Sequence, residues 1–214
     1  FSLVSNSDSH GPTRIGREAN VFNCELSYAG IRDALKSKDK KKFLYTIEFF
    51  PEEGKYHFDG HRLCGVRFSP EETRQHKGVC PKCRKPVTVG VMNRVEQLAD
   101  RPIGFNPENA IRFKSMIPFI EIIADIKGVG KESVVIEREY LGYLSKFGTE
   151  FDILLRATEK ELLKGLPENI AQGVLKVRKG QVDIKPGYDG EYGIVGLLKT
   201  EEKTKKSEEQ LSLF

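Results

Sequence analysis

The sequence predicts an α+β chain built from more than one domain, and three observations carry that prediction. An aromatic-rich stretch from Phe43 to Phe50 has the character of a strand and stops at Pro51. From Glu52 to Thr88 there are several Gly and Pro residues, three of the four cysteines and little helical periodicity. After Gly90 the composition turns helical, with apolar residues at helical spacing between recognisable caps. The predicted divisions are 1–50, 51–90, 91–198 and a tail, 199–214.

The elements follow in order. Phe1 to Asn6 is expected to be a short strand, followed by the polar loop Asp8-Ser9-His10-Gly11-Pro12. The chain opens with Phe1, not Met, inside this expected strand, so a piece of a longer protein is anticipated. Ser27 can cap a helix carrying Ile31, Ala34 and Leu35 on one face, and that helix runs into Lys36, Lys38, Lys40, Lys41 and Lys42. Pro118 suits the first helical position before Phe119-Ile120-Glu121-Ile122-Ile123. Ser133 can cap a helix bearing Ile136, Tyr140, Leu144 and Phe147, ended by Gly148. Thr158 with Glu161 forms a capping box, and a further helix from about Glu168 to Lys179 is stopped by Gly180. Val182 to Lys185 is expected as a strand, and Pro186-Gly187 as a turn.

Apolar residues make up 38% of the 214 positions and charged residues 31%, which suits a chain able to bury a core. No apolar run approaches the ~20 residues that span a bilayer, and no signal peptide opens the chain. A membrane role is therefore not expected, and the cytoplasm is. The net charge of +4 is compatible with nucleic acid. Four cysteines without a secretory signal argue against a disulfide framework.

His61-x2-Cys64, followed after fifteen residues by Cys80-x2-Cys83, is the strongest chemical signal. Two-residue spacing turns both side chains of a knuckle toward one ion, and two knuckles complete a tetrahedron. Thiolate and imidazole suit Zn2+, and four protein ligands leave no open position, so the zinc is expected to be structural. A segment too poor in apolar residues for its own core gains most from such an ion. His57 lies four residues before His61 and could take its place.

Asp8 and His10 could face one ion from an extended segment, although a short Asp-x-His in a loop is also an ordinary turn. Asn6-Ser7-Asp8-Ser9-His10-Gly11-Pro12, followed by Ile15-Gly16-Arg17-Glu18, resembles the last metal-binding motif of the PHP (polymerase and histidinol phosphatase) family. That resemblance implies the end of a distorted β/α barrel, with Asp8 and His10 as catalytic ligands in a centre of divalent metals (Zn2+, Mg2+ or Mn2+) that hydrolyses phosphate esters. The family's other ligands lie upstream of the matched motif, so this chain alone is expected to lack most of the centre and to be inactive.

The order of three parts is similar to endonuclease Q: the PHP motif, the His61/Cys64/Cys80/Cys83 zinc ribbon, and a helical domain ending in Pro186-Gly187-Tyr188-Asp189-Gly190. The run Gly90-Val91-Met92-Asn93-Arg94-Val95-Glu96-Gln97-Leu98-Ala99-Asp100-Arg101 adds to it. The resemblance covers nearly the whole chain. It implies an endonuclease cutting DNA on the 5′ side of deaminated bases such as uracil and hypoxanthine, with the base exposed from the stack. Ile126-Lys127-Gly128-Val129-Gly130-Lys131 resembles the hairpin of a helix-hairpin-helix module. There Gly128 and Gly130 would let the backbone approach a phosphate while Lys127 and Lys131 add charge; the alternative is a plain interhelical turn. Arg94, Arg101 and the Lys36–Lys42 cluster are further phosphate candidates.

Residues 199–209 hold four Lys and four Glu and no apolar residue, the composition of a disordered tether. Gln210-Leu211-Ser212-Leu213-Phe214 resembles the pentapeptide by which bacterial enzymes bind the sliding clamp. That resemblance implies Leu211, Leu213 and Phe214 in an apolar cleft, with Gln210 at its edge, and a bacterial source. Two other classes remain open: a zinc-ribbon and helix-hairpin-helix module that binds nucleic acid without catalysis, and a PHP phosphoesterase for a small phosphorylated molecule.

Overall fold

A computed structural model describes residues 2–197. In chain order its elements begin with β1 (Ala19–Phe22), α1 (Tyr28–Ser37), β2 (Phe43–Glu48), β3 (Asp59–His61), β4 (Val66–Phe68) and α2 (Pro70–Gln75). They continue with α3 (Val91–Leu98), β5 (Arg112–Ser115), α4 (Phe119–Lys127), α5 (Val134–Phe147), α6 (Glu159–Gly165), α7 (Glu168–Arg178), β6 (Asp183–Lys185) and β7 (Ile194–Gly196). Among the described residues no helix is long and apolar enough to cross a membrane.

The chain divides into two compact units, and the first is discontinuous: Phe1–Phe50 with Arg94–Met116. Its sheet has the order β1-β2-β5, with β1 antiparallel and β5 parallel to β2. A parallel neighbour needs a long crossover, and here everything between Phe49 and Ile111 supplies it. Residues 94–116 therefore belong with the first fifty, not with the helical division expected for 91–198. Ala34, Phe43 and Ile47 are buried in this unit, and the Phe22 and Phe43 rings stack at 4.6 Å. Ser27 caps α1 by accepting from Gly30 N–H.

The strand expected at Phe1 to Asn6 is not formed over residues 2–6. Leu3 and Val4 are exposed, and the backbone is held by a side chain instead. Asn20 Oδ1 accepts from Ser5 N–H at 3.0 Å while Asn20 Nδ2 donates to the Ser5 carbonyl at 2.7 Å. One amide side chain thus satisfies the donor and acceptor that a strand partner would take.

The second unit comprises Pro51–Asn93 and Ile117 onward. The antiparallel β3–β4 hairpin covers a small core of Val66, Phe68, Cys80 and Val87. A helix, α2, lies within the cysteine-rich stretch, with a full capping box between Ser69 and Glu72 and Pro70 in its first turn. The larger core belongs to α4, α5, α6 and α7 and the turn before α6, where Phe119, Ile122, Ile136, Ile153, Leu162, Ile170 and Val174 are buried. Pro118 stands one position earlier than expected, at the N-cap of α4. The open end of α4 is closed from a distance by Glu150, which accepts from Phe119 N–H and from the Tyr140 hydroxyl. Thr158 and Glu161 form the capping box of α6, and α7 runs from Glu168 to Arg178.

A β6–β7 hairpin closes the described chain, and its turn folds onto the β3–β4 region. Gly187 N–H donates to the Glu52 carbonyl, Phe58 N–H to the Gly187 carbonyl, and Gly193 N–H to the Glu53 carbonyl. At Gly193 a Cβ would lie far inside contact distance of the Glu52 carbonyl oxygen, so only glycine permits this approach.

Candidate metal centre

His61 ends β3, and a 3-10 turn over Arg62–Cys64 delivers Cys64 beside it. Gly65, at φ 60°, then turns the chain back into β4. The second knuckle is closed by its own backbone, with Cys80 N–H donating to Lys85 O and Arg84 N–H to Cys80 O, both at 2.8 Å. Lys82 ties the knuckles together by donating to the Cys64 carbonyl at 2.6 Å.

The ligand atoms of His61, Cys64, Cys80 and Cys83 all lie within 4.8 Å of one another. A tetrahedral site with Zn–S bonds of about 2.3 Å needs ligand separations of roughly 3.8 Å, which this cluster meets after a small contraction. His61 Nδ1 faces Cys83 Sγ at 3.3 Å. Burial works against the Cys80 thiolate, but the Cys83 and Lys82 N–H groups and the His61 ring outweigh it and bring the thiol down to about 6. Burial and the two neighbouring thiols push Cys64 up to about 11. Three thiols this close cannot all ionise by themselves, and a dication removes that conflict. The donor set fits a structural zinc with no open coordination position.

His57 is not part of this cluster. It is buried, its ring Nδ1 lies 3.0 Å from the Pro51 carbonyl, and its ring leans on Phe58.

Two residues before His61 on β3 stands Asp59, whose carboxyl group the sequence did not single out. It has no solvent exposure and accepts from Thr73 Oγ1 at 2.5 Å, Gly90 N at 2.6 Å and Asn93 Nδ2 at 2.7 Å. Asp189, from the β6–β7 turn, accepts from Arg62 N at 2.6 Å and Thr88 Oγ1 at 2.5 Å. Burial opposes its charge, yet these two donors hold its carboxyl below the ordinary aspartate range. The acidic, aromatic run from Gly187 to Gly193 was visible in the sequence; its docking on a knuckle more than a hundred residues earlier was not.

The other expected site residues are dispersed. Asp8, at φ 45°, and His10 are both exposed, and His10 Nδ1 faces the Asp8 carbonyl oxygen at 2.8 Å, leaving Nε2 outward. Among the described residues, only the His61/Cys64/Cys80/Cys83 group brings three or more candidate metal ligands together. Gly128, at φ 66°, ends α4, and the hairpin leads into α5 with open space around Gly130. Lys127 pairs with Glu139 at 2.5 Å and Lys131 with Glu121 at 2.8 Å, so both hairpin lysines are engaged by carboxylates. Arg94 bonds Gln97, while Arg101 pairs with Asp100 and lies over the Phe105 ring. Lys40 donates to the Glu108 carbonyl. Gln210, Leu211, Leu213 and Phe214 lie outside the described residues.

These features define an α+β protein with a cysteine–histidine cluster that can hold a metal and a group of packed helices. Comparison with known proteins narrows the class. Residues 118–181 match the family model of the MJ0043 C-terminal domain. An uncharacterised protein of that name from Methanocaldococcus jannaschii is 33% identical over 198 residues, covering 89% of this chain and 25% of the relative. Uncharacterised YqxK of Bacillus subtilis is 30% identical over 196 residues, covering 90% of this chain and 46% of the relative. Among solved structures, the lesion-specific endonuclease Q of Pyrococcus furiosus matches with a TM-score of 0.81 and 28% identity, over 96% of this chain and 53% of that one. An endonuclease Q in complex with a duplex carrying an abasic lesion matches with a TM-score of 0.76 and 28% identity, over 93% of this chain and 50% of that one. The chain therefore spans about half of these solved structures, and a quarter to under a half of the two relatives. Its fold is similar to that of endonuclease Q over nearly its full length, which supports that family.

Proposed function

We propose that this chain is the C-terminal part of a metal-dependent DNA-repair endonuclease of the endonuclease Q type, which cuts DNA on the 5′ side of deaminated bases such as uracil and hypoxanthine. The observation that carries the reading is the likeness to a lesion-specific endonuclease over 96% of the chain at a TM-score of 0.81. In this reading the first unit is the closing piece of a PHP barrel, the second holds a zinc ribbon and helix-hairpin-helix helices, and the protein works in the bacterial cytoplasm.

Asp8 and His10 would be two ligands of the catalytic metals; the exposed Asp8 carboxyl and the outward His10 Nε2 are the atoms available for it. When bound, such metals activate water and neutralise charge on the scissile phosphate. The His61/Cys64/Cys80/Cys83 centre holds its module rigid and takes no part in the reaction. Because Lys127 and Lys131 are paired with carboxylates, the hairpin would hold a phosphate by backbone N–H groups around Gly128 and Gly130, with lysine charge a smaller contribution. The tail residues Gln210, Leu211, Leu213 and Phe214 would bring the enzyme to the sliding clamp.

The test is a nicking assay on a protein that includes the residues upstream of Phe1, with end-labelled duplexes carrying one uracil or hypoxanthine, divalent metal and an undamaged control. A single cut 5′ to the lesion is expected, reduced by more than about 100-fold in Asp8→Ala or His10→Ala. Binding without any cut would replace this reading with a non-catalytic nucleic-acid module. Hydrolysis of small phosphate esters with no action on DNA would replace it with a phosphoesterase.

A further inference from the structure

The turn between β6 and β7 does more than brace the metal module: it builds an aromatic and cationic surface on it. Tyr192 is 74% exposed and Tyr56 46%, and Lys55 Nζ lies 5.7 Å from both ring centroids. The backbone that carries the rings is tied together, since Gly190 N–H donates to the Lys55 carbonyl and Gly193 N–H to that of Glu53. At Gly190 a Cβ would lie 3.6 Å from an Arg62 guanidinium nitrogen and 3.8 Å from the Tyr56 hydroxyl, so these groups flank the same glycine. Arg62 itself is exposed, and its backbone N–H is held by Asp189.

Single exposed apolar side chains need no explanation. Two exposed tyrosines sharing one ammonium, with a guanidinium beside them and a rigid turn beneath, are a different arrangement. Next to the site, from His61 to Thr88, the sequence has seven Lys and Arg against two Asp and Glu, while the segments that carry the rings hold Glu52, Glu53, Asp189 and Glu191. Of the two carboxylates on the turn, Asp189 is committed to Arg62 N–H and Thr88, and Glu191, next to Tyr192, is engaged by the Tyr188 hydroxyl. An aromatic face accepts a flat π-system, and the flanking cations accept the charge attached to it. Bases stacked on tyrosine, with phosphates on lysine and arginine, are the usual chemistry of unpaired strands.

We infer that Tyr192, Tyr56, Lys55 and Arg62 form a stacking site for an unpaired nucleotide of DNA, with the base on Tyr192 and its phosphate between Lys55 and Arg62. The inference rests on the DNA reading given above and adds to it where an opened or single-stranded nucleotide is received.

The sequence contains no tryptophan, so Tyr192→Trp introduces a single fluorescent reporter at the site. With the zinc-loaded chain, a short single-stranded DNA oligonucleotide should quench this tryptophan, whereas inorganic polyphosphate and polyglutamate, which carry charge without bases, should not. In anisotropy titrations of the labelled oligonucleotide, Tyr192→Ala should bind about tenfold more weakly, and Tyr192→Phe like the parent. Circular dichroism and zinc content should be unchanged in all three variants. Oligonucleotide binding with no quenching, or with unchanged affinity in Tyr192→Ala, overturns the stacking site and leaves the DNA reading standing. Quenching by polyglutamate in preference to DNA overturns it in favour of an acidic peptide. Absence of any binding to DNA overturns the DNA reading and the site together.

Discussion

A carboxyl group with no solvent exposure is costly unless its oxygens are all met, and Asp59 meets that condition through three partners, Thr73 in α2 and Gly90 and Asn93 at the start of α3. Asp59→Ala leaves the donors of Thr73, Gly90 and Asn93 facing a small void, and about 3 kcal/mol or more of stability should be lost. Asp59→Asn should lose less, about 2 kcal/mol, because its oxygen still serves the fixed Gly90 N–H and the Thr73 hydroxyl can turn to accept from the new amide, while the Asn93 amide N–H loses its acceptor. Urea denaturation of the zinc-loaded variants measures both, and equal losses would contradict this account. The contrast with the metal ligands explains what was legible. His61, Cys64, Cys80 and Cys83 announce themselves because a knuckle is local, its two ligands three positions apart. Asp59 sits in an unremarkable Phe-Asp-Gly run, and the partners that give it meaning are 14 to 34 positions away.

Elements follow the same rule. The caps at Ser27, Thr158 and Gly148 can be read from the sequence because each acts within one turn of its helix. β5 cannot, since Arg112-Phe113-Lys114-Ser115 is largely exposed and becomes a strand only by pairing with β2, more than sixty residues earlier. The Ser69–Glu72 box was as readable as the one at Thr158, but the surrounding Gly, Pro and Cys residues disguised a six-residue helix. A further element held from outside is the single π-helical turn at Asp152–Arg156, whose wider spacing leaves carbonyls without their usual donors. Arg178 of α7 supplies them, donating to the carbonyls of Leu154, Ala157 and Ile153 at 2.8, 2.7 and 2.6 Å. No local pattern marks this arginine among its basic neighbours. Arg178→Met should cost about 3 kcal/mol in chemical denaturation, and Arg178→Lys about 2, since one ammonium cannot reproduce the planar fork. A loss below about 0.5 kcal/mol in Arg178→Met would mean that the turn is held by packing alone.

At the scale of the whole molecule, the second unit contains two parts with very different means of support. The region from α4 to α7 encloses more than seven large apolar side chains that are fully or nearly buried, enough for a cooperative core. The β3–β4 module encloses Val66, Phe68, Cys80 and Val87, too few to offset the entropy of ordering its residues, so a metal held by the His61/Cys64/Cys80/Cys83 cluster would contribute much of its folding energy. The β6–β7 hairpin is fastened to both: just after β7, Leu197 N–H donates to Asp125 of α4, while Gly187 and Asp189 in the turn are bonded to residues of the metal module. Chelation should therefore act unevenly. With a strong zinc chelator at neutral pH, amide protection should collapse over residues 58–88 and 187–193, where the backbone bonds depend on the knuckles. It should persist over residues 119–178, and far-UV circular dichroism should keep most of its helical signal. Hydrogen exchange with and without chelator reads this segment by segment. Uniform loss of protection across the second unit would show instead that the small metal-built core and the helical core fold as one cooperative body. The β6–β7 hairpin would then be the element that couples them, because the bonds at Gly187 and Asp189 in its turn and at Leu197 just past β7 link the two cores.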